Sequence, residues 1–496
     1  MGIIQKQSIS GTIYSYVGVV LGFITTGLLY PLIFSTEEVG LLRILVSYSL
    51  LFAQFAGLGI NSVTIKLFPY FRNYERKHHG YLGLALLVSF VGLIISVSAY
   101  ILLKSAILGG DKEGIDLFAQ YFFYIVPLII ATLLFNVFDT YYRVLYNAVK
   151  GIIYKEVIQR VLILAVIILY FFNTIDFHQA VLLYTIALIS PTILLFLSLI
   201  YNKQLFLNPD LRFVDKKLAK EMINVGLFGI LASFSGVLTM TIDTIMVERM
   251  LVNGLSELGI YTITFFFGTL ILVPLRTMGK ISSVVIAYAW KANDINIINQ
   301  IYKKSSISLS IIGLLLLIGI WGNIDNVFQI IPITYLPGKY VILLIGIASL
   351  FDIALSVSPH IIVNSKHYRY LSYMLIIFAV LLITSNLILI PIYGIVGAAI
   401  ATLISKFLHN LIKYLFLYKK YKLQPFSIKT LLLYLIGAFA YSVSLLLPEQ
   451  SNYIVDIIIR SGLILVVFTV PVYYFRISED INQKADSIVQ SIFKRT

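Results

Sequence analysis

The chain contains no cysteine and little charge. The absence of cysteine excludes disulfides, thiol catalysis and cysteine-based metal sites. Only 12% of the 496 residues are charged, whereas a soluble globular domain has about 25%. Hydrophobic residues make up 59% of the chain, and its mean hydropathy is +0.94. Because a soluble core cannot absorb so much apolar surface, the composition predicts a polytopic membrane protein.

Negative charge is especially scarce. The 23 Asp and Glu residues are outnumbered by 37 Lys and Arg residues, which gives a formal net charge of +14. Such an excess is compatible with nucleic-acid binding, but in a membrane protein Lys and Arg collect in cytoplasmic loops and face anionic lipid. We therefore expect membrane lipids as partners and no nucleic acid.

Recognisable catalytic motifs are missing as well. The sequence has no glycine-rich phosphate loop, no metal-ligand cluster and no paired-carboxylate signature, so we expect no catalytic residue, metal or cofactor. The nearest cluster, Lys77-His78-His79, is interpreted as a solvated basic loop. A membrane glycosyltransferase or polysaccharide polymerase is the enzymatic alternative. Such enzymes usually carry a sizeable outer loop or a soluble catalytic domain, whereas the loops here are short.

Instead, the chain has a series of apolar windows long enough to cross a bilayer, which takes about 20 residues. Residues 370–405 carry no charge and are too many for one helix, so the turn signal Pro391-Ile392-Tyr393-Gly394 divides them. The windows predict an all-α protein with fourteen transmembrane helices: 10–34, 38–66, 80–104, 116–142, 154–174, 178–201, 220–247, 256–290, 305–324, 338–363, 370–390, 393–417, 429–447 and 454–475.

Basic residues set the predicted topology, because Lys and Arg are enriched in cytoplasmic loops. Fourteen spans place both termini on the same side of the membrane. If that side is the cytoplasm, 27 of the 37 Lys and Arg lie in cytoplasmic segments, 4 in outer segments and 6 within spans. Removing one span would scramble this alternation, so the split predicts a multi-pass protein with both termini in the cytoplasm.

The longest predicted loop follows the sixth span and divides the chain. Residues 35–42 (Ser-Thr-Glu-Glu-Val-Gly-Leu-Leu) and 254–261 (Gly-Leu-Ser-Glu-Leu-Gly-Ile-Tyr) each follow the first span of a half. Both contain an acidic residue, an apolar residue and glycine in succession, which predicts two related six-helix lobes in parallel orientation. The predicted domains are an N-terminal lobe, a cytoplasmic linker, a C-terminal lobe and a terminal helix pair with a cytoplasmic tail: 1–201, 202–219, 220–417 and 418–496.

Three segments carry a resemblance to a known family. They are residues 242–247 (Ile-Asp-Thr-Ile-Met-Val), 257–261 (Glu-Leu-Gly-Ile-Tyr) and 391–402 (Pro-Ile-Tyr-Gly-Ile-Val-Gly-Ala-Ala-Ile-Ala-Thr). The spacing of the spans and the basic linker after the sixth span also fit. The chain resembles the Wzx-type flippases of the polysaccharide transporter family, within the MOP exporter superfamily that also contains the MATE drug exporters.

The resemblance implies two MATE-like lobes around a central cavity, with a terminal helix pair and an alternating-access cycle. It implies an undecaprenyl-pyrophosphate-linked oligosaccharide as cargo, moved from the cytoplasmic to the periplasmic leaflet of the bacterial inner membrane. The product would be a surface polysaccharide such as the O-antigen of lipopolysaccharide. The implied partners are this lipid-linked oligosaccharide and the polymerase and glycosyltransferases of the same pathway.

A MATE-like cation-coupled exporter of small molecules is the alternative within the same superfamily. Residues 7–36 carry no charge. Many MATE exporters have a carboxylate in this segment, and lipid II flippases have arginines there. The uncharged first span therefore weakens both of these interpretations.

Cations within the spans are candidates for binding the anionic cargo, because a buried cation normally faces a partner or a water-filled cavity. Arg276 and Lys280 lie four residues apart and share one helix face. Arg43 and Lys406 are further candidates for lining the cavity. Arg43 lies near the outer end of the second predicted span, so snorkelling or pairing with a loop is the alternative role for it. Arg160 lies near a predicted cytoplasmic end, where snorkelling to the interface is the expected role.

Acidic residues within the spans are candidates for ion coupling or for salt bridges. Asp352 either pairs with a cation, such as those of the eighth span, or binds a coupling proton or sodium ion. Asp243 is expected to form an interhelical salt bridge, and Asp139 to pair with Arg143 at i,i+4. Arg460, in the last span, is expected to pair with lipid headgroups at the outer interface or to face the cavity.

Prolines within the spans are candidate hinges for alternating access, because a proline frees a backbone carbonyl and bends a helix. Static kinks are the alternative, since membrane helices tolerate proline. The candidates occur in both predicted lobes and are Pro127, Pro191, Pro274 and Pro359.

Overall fold

A computed structural model describes residues 2–109, 115–483 and 486–487. These residues are mostly helical, and none of them belongs to a β-strand. Helices satisfy their backbone hydrogen bonds internally, so they can cross a bilayer without exposing polar groups to lipid. Contacts divide the chain into two compact units, Met1–Thr262 and Ile263–Thr496.

The first unit is a bundle of long helices with two π-helical stretches. One stretch, Phe23–Leu29, extends the first helix, and the other, Ile153–Ile158, leads into the sixth. The long helices are α1 (Gly2–Gly22), α2 (Thr36–Ala56), α3 (Ile60–Phe71), α4 (Tyr81–Leu102), α5 (Ile125–Val144), α6 (Gln159–Phe171), α7 (Phe177–Tyr201), α8 (Lys216–Met250) and the beginning of α9 (Gly254–Thr269).

The second unit contains the end of α9 and the remaining long helices. Leu314, Leu433 and Phe468 join α11, α14 and α15 in one hydrophobic core, so the two terminal helices pack on α11. The remaining helices are α10 (Val273–Lys291), α11 (Ile295–Gly322), α12 (Lys339–Ala354), α13 (Arg369–Tyr421), α14 (Ile428–Ser444) and α15 (Tyr453–Tyr474).

Among the described residues, eleven helices are long and apolar enough to cross a membrane. The chain is a multi-pass membrane protein. Three predicted spans explain the difference from fourteen. Helix α14 has only 17 residues, the window 154–174 begins with three charged residues, Lys155, Glu156 and Arg160, and α13 contains two predicted spans. The number fourteen stays a prediction.

A break within α13 confirms the predicted division of residues 370–405. Gly394 has φ +58° and ψ −138°, which departs from helical geometry. Glycine adopts such a conformation without the steric cost that a Cβ atom would impose. The preceding Pro391 lies inside the same helix, so the turn signal in the sequence marks the actual break.

The two similar segments, residues 35–42 and 254–261, contact each other within the first unit. A Cβ atom on Gly40 would lie 1.9 Å from the carbonyl oxygen of Leu255, and one on Gly259 would lie 1.8 Å from that of Thr36. The interval from Thr36 to Leu255 equals that from Gly40 to Gly259, so the two contacts are equivalent. Thr36 Oγ1 and Ser256 Oγ share a hydrogen bond of 2.7 Å between them. Only glycine lets α2 and α9 approach so closely.

Gly40→Ala and Gly259→Ala are each expected to destabilise the protein. The added methyl group meets backbone atoms that cannot turn aside, and such overpacking costs about 1–3 kcal/mol. The measurement is the midpoint of thermal unfolding of the purified protein. Gly236→Ala in α8 is the matched control, because a Cβ atom there meets nothing within 4 Å. Equal midpoints for all three variants would show that the close approach does not matter.

The linker after α7 packs against the beginning of α4. His79 stacks on Phe213 with ring centroids 3.8 Å apart, and His79 Nδ1 lies 3.3 Å from Asp210 Oδ2. This hydrogen bond holds the pKa of the Asp210 carboxyl below its ordinary value. Lys77 is exposed, but His78 and His79 are both buried, so the interpretation of Lys77-His78-His79 as a solvated loop is wrong for the two histidines. All three residues have positive φ, which turns the chain so that both rings point inward.

Candidate functional site

The two π-helical stretches of the first unit line one cavity of about 280 Å³. Phe23–Leu29 contributes Thr25 and Thr26, and Ile153–Ile158 contributes Lys155 and Glu156. A π-helical turn widens the helix locally and occurs frequently at functional sites. Both π-helical stretches described in this unit therefore lie at the same cavity.

The wall of this cavity carries more positive than negative charge. Its cations are Arg43 from α2, Lys155, and Arg160 from the start of α6, and its one described carboxylate is Glu156. Three cations against one carboxylate leave two net positive charges. The uncharged polar residues of the wall are Thr25, Thr26, Tyr30, Gln159, Tyr184 and Thr262.

Only one of the three cations has a carboxylate beside it. Arg160 Nη2 lies 3.1 Å from Glu156 Oε2, one helical turn away. Lys155 Nζ lies 4.9 Å from the centroid of the Phe135 ring. Within the described part of the chain, neither Lys155 nor Arg43 has a carboxylate oxygen within 4.0 Å.

The chemistry of this wall suits a phosphate or pyrophosphate group. An arginine can bind two phosphate oxygens at once through its planar guanidinium, and a lysine acts as a point charge. Threonine and tyrosine hydroxyls can donate to further oxygens. A cation within a membrane helix costs about 2.5–3.5 kcal/mol or more, so the wall is stabilised when an anion binds.

Glycines of α1 make room for the charged side chains opposite them. A Cβ atom on Gly22 would lie 2.2 Å from Arg160 Nη1, and one on Gly18 would lie 2.8 Å from Glu156 Cβ. Gly18 and Gly22 are one helical turn apart, as are Glu156 and Arg160. The small residues of α1 therefore match the ion pair in spacing.

Gly22→Ala is expected to weaken anion binding at this cavity. The added methyl group displaces the Arg160 guanidinium. Loss of one charge-assisted hydrogen bond, worth about 1.5 kcal/mol or more, corresponds to roughly ten-fold weaker binding. Titration calorimetry of the purified protein with inorganic pyrophosphate measures the effect. Gly236→Ala serves again as the control, and unchanged affinity in Gly22→Ala would contradict the assigned contact.

The cationic candidates from the sequence lie in different places. Arg43 is on the cavity wall. The side chains of Arg276 and Lys280 lie outside the described residues. Lys406 lies in the second unit, where its Nζ is 2.9 Å from Asp352 Oδ2. Among the described side chains, Lys406 is the one cation within 4.0 Å of the Asp352 carboxylate, and pairing of Asp352 with Arg276 or Lys280 stays a prediction.

The other acidic candidates have neighbours in the first unit. Tyr261 donates a hydrogen bond of 3.2 Å to Asp243 Oδ2, and Asp243 also interacts electrostatically with Arg43. Asp139 is buried and forms an ion pair with Arg143 one turn along α5.

Three of the four candidate hinge prolines lie in the first turn of a helix. Pro274 and Pro359 occupy the first turn of a helix, where a missing N–H costs nothing. Pro127 lies in the first turn of α5, directly after a 3₁₀ turn. Pro191 lies inside α7. A hinge role for any of the four stays a prediction.

Sequence reasoning missed Lys155, Glu156 and Arg160 as cavity residues. Charges at the start of an apolar window typically mark the membrane boundary, which predicts that Arg160 snorkels to the interface. The available signal was the match in spacing between the glycines of α1 and the Glu156–Arg160 pair. Residues four apart lie on one face of a helix, so the glycine pair and the ion pair each occupy a single face.

No protein-family model matches the sequence, and no curated protein matches it significantly. Solved structures do resemble it. A lipid II flippase MurJ in an inward closed conformation is 16% identical, with 94% of this chain and 99% of that chain covered and a TM-score of 0.72. An inward-facing multidrug resistance MATE family transporter of the MOP superfamily is 12% identical, with 82% and 98% covered and a TM-score of 0.63.

An outward-facing multidrug resistance MATE family transporter is 13% identical, with 84% of this chain and 96% of that chain covered and a TM-score of 0.54. At such identities the similarity concerns the fold. The chain shares the fold of these solved structures.

Proposed function

We propose that this protein is a flippase that moves an undecaprenyl-pyrophosphate-linked oligosaccharide from the cytoplasmic to the periplasmic leaflet by alternating access. The observation that carries the proposal is the cationic cavity among apolar helices. The lipid tail of such a cargo can stay in the bilayer, whereas its pyrophosphate and glycan cannot cross hydrocarbon unaided. The fold supports the proposal, because one structure that shares it is a lipid II flippase.

In this proposal Arg43 and Lys155 bind the pyrophosphate. They are the two cavity cations without a carboxylate within 4.0 Å among the described residues. Arg43 is suited to a bidentate contact with phosphate oxygens. Arg160 is held by Glu156 through Nε and Nη2, and its Nη1 donates one further charge-assisted hydrogen bond at the edge of the site.

The proposal also assigns a setting for the protein. It lies in the bacterial inner membrane with both termini in the cytoplasm, and the two lobes 1–201 and 220–417 alternate access to the cargo. It is a transporter and not an enzyme, and acts between the glycosyltransferases that build the glycan and the polymerase that uses it. Asp352, beside Lys406 at 2.9 Å, has a structural role in this proposal.

A leaflet-translocation assay in proteoliposomes tests the proposal. Fluorescent undecaprenyl-pyrophosphate oligosaccharide is incorporated, and reduction of the outer-leaflet label is followed with time. We expect movement that depends on the protein. The second candidate is a MATE-like exporter of small cations, which the excess positive charge of the cavity disfavours. Efflux of a cationic dye without movement of the labelled lipid would favour that candidate.

A further inference from the structure

A second cavity, of about 290 Å³, lies in the second unit. It is formed where α11 and α14 end and where α15 begins, with the short helix Ile324–Ile330 on one side. Ligand pockets usually measure about 300–1,000 Å³, so this one has room for a single small ring. It shares no lining residue with the cationic cavity.

The floor of this pocket is a buried ion pair held in place from several sides. Asp456 and Arg460 are 4% and 7% exposed. Arg460 Nε donates to Asp456 Oδ2 at 3.0 Å, and Arg460 Nη1 donates to the carbonyl oxygen of Ser444 at 2.8 Å. Asn326 Nδ2 also donates to Asp456 Oδ2, at 2.5 Å. Such a network fixes the positions of the groups that face the pocket.

Four neutral hydrogen-bonding groups on the pocket wall have no protein partner among the described residues. Asn326 is 7% exposed, and its Oδ1 receives no hydrogen bond from the described part of the chain. The same holds for the Trp321 indole N–H, the Tyr441 hydroxyl and the Gln329 amide, all of which line the pocket. These groups offer both donors and acceptors to a ligand.

Each cation of the pocket is paired with a carboxylate. Asp456 pairs with Arg460, and Lys339 Nζ lies 2.6 Å from Asp325 Oδ1. The remaining charged residue of the lining is acidic, Glu449. The pocket therefore offers no spare cation to a phosphate or a carboxylate, in contrast to the cationic cavity.

We propose that this pocket binds one uncharged sugar ring. Trp321 and Tyr441 line the pocket, and their rings provide apolar surface for the C–H face of a pyranose, since aromatic rings combine an apolar body with a polar handle. Asn326 and Gln329 then hydrogen-bond to the ring hydroxyls. The identity of the sugar as part of the transported glycan rests on the proposed function. In this proposal the terminal helices α14 and α15 take part in sugar binding, because α14 supplies Tyr441 and α15 supplies the Asp456–Arg460 ion pair.

The chain has two tryptophans, Trp290 and Trp321, so Trp290→Phe leaves Trp321 as the sole fluorescent indole. Purified Trp290→Phe protein in nanodiscs is titrated with the methyl glycosides of glucose, galactose, mannose, rhamnose and N-acetylglucosamine. We expect a saturable change in emission with at least one of them. If Trp290→Phe does not fold, saturation-transfer NMR of the same glycosides with the wild-type protein replaces fluorescence.

Tyr441→Phe and Gln329→Ala are each expected to weaken the binding by about three- to ten-fold, the value of one neutral hydrogen bond. Both side chains lack protein hydrogen bonds among the described residues, so these changes leave the pocket's own network intact. No saturable binding of any glycoside, unchanged affinity when Tyr441→Phe and Gln329→Ala are combined, or tighter binding of glucuronate or inorganic pyrophosphate at Trp321 would each overturn the proposal.

Arg43→Ala combined with Lys155→Ala separates this inference from the proposed function. The double variant is expected to lose lipid translocation and to keep sugar binding at Trp321. Sugar binding without translocation in the wild-type protein would count against the flippase function alone. Translocation without sugar binding would count against the sugar pocket alone.

Discussion

Arg43→Ala combined with Lys155→Ala is expected to lose nearly all translocation of the lipid-linked oligosaccharide. These two cations line the cavity without a carboxylate within 4.0 Å in the described part of the chain. A hydrogen bond to a charged group contributes about 1.5–3 kcal/mol, so each loss lowers the affinity for the pyrophosphate roughly ten- to hundred-fold. The initial rate in proteoliposomes measures the effect.

Two control variants test whether the loss of translocation is specific to the positive charges of the cavity. Lys66→Ala removes a cation that is 3.8 Å from Glu221 and largely exposed. Because an exposed pair contributes about 0–1 kcal/mol, its rate should stay close to wild type. Lys155→Arg keeps the charge and should retain much of the activity. Wild-type rates in the double variant would show that the cargo is bound elsewhere.

Asp456→Ala is expected to destabilise the protein strongly. It leaves the Arg460 guanidinium buried without its carboxylate and removes the acceptor of Asn326 Nδ2. Breaking a buried ion pair by removing one partner costs about 3–5 kcal/mol. The midpoint of thermal unfolding of the purified protein should fall markedly.

A double variant that removes both charges separates two causes of the instability, the loss of the ion pair and the burial of an unpaired guanidinium. Asp456→Leu combined with Arg460→Met removes both charges and keeps apolar volume between α14 and α15. Replacement of a buried pair by hydrophobic residues is often neutral or stabilising, so the double variant should recover most of the stability. A single variant as stable as the wild type would mean that solvent reaches the pair.

Much of the fold follows from features that depend on the sequence alone. Low charge and long apolar windows predict a polytopic all-α protein, because only helices and closed barrels cross a bilayer. Pro391 and Gly394 predict a break that Gly394 makes with its positive φ. The sequence similarity between residues 35–42 and 254–261 predicts related segments, and Gly40 and Gly259 make equivalent contacts.

The candidate site was only partly predictable, because it depends on which helix faces meet. Arg43 was identified as an intramembrane cation. Charge at the start of an apolar window also marks a membrane boundary, so the sequence assigns Lys155 to a loop and predicts that Arg160 snorkels to the interface. Lys155 and Glu156 lie in a π-helical stretch. There the side chains turn away from the α-helical spacing on which sequence patterns rely.

The histidines of residues 77–80 illustrate a second limit. A basic pair next to glycine is typical of a solvated loop. Here positive φ angles turn His78 and His79 inward, and Phe213 and Asp210 arrive from a linker more than a hundred residues away. The sequence around residues 77–80 does not show where that linker packs. The burial of His78 and His79 can therefore be recognised only in the folded structure.

The central claim is that fixed positive charge in the cavity recognises the pyrophosphate of a lipid-linked glycan. Its most direct test compares two labelled lipids with the same tail and the same glycan, one joined by pyrophosphate and one by a neutral ether. In wild-type proteoliposomes we expect rapid translocation of the pyrophosphate lipid and little movement of the ether lipid. Equal translocation of both lipids would contradict the account.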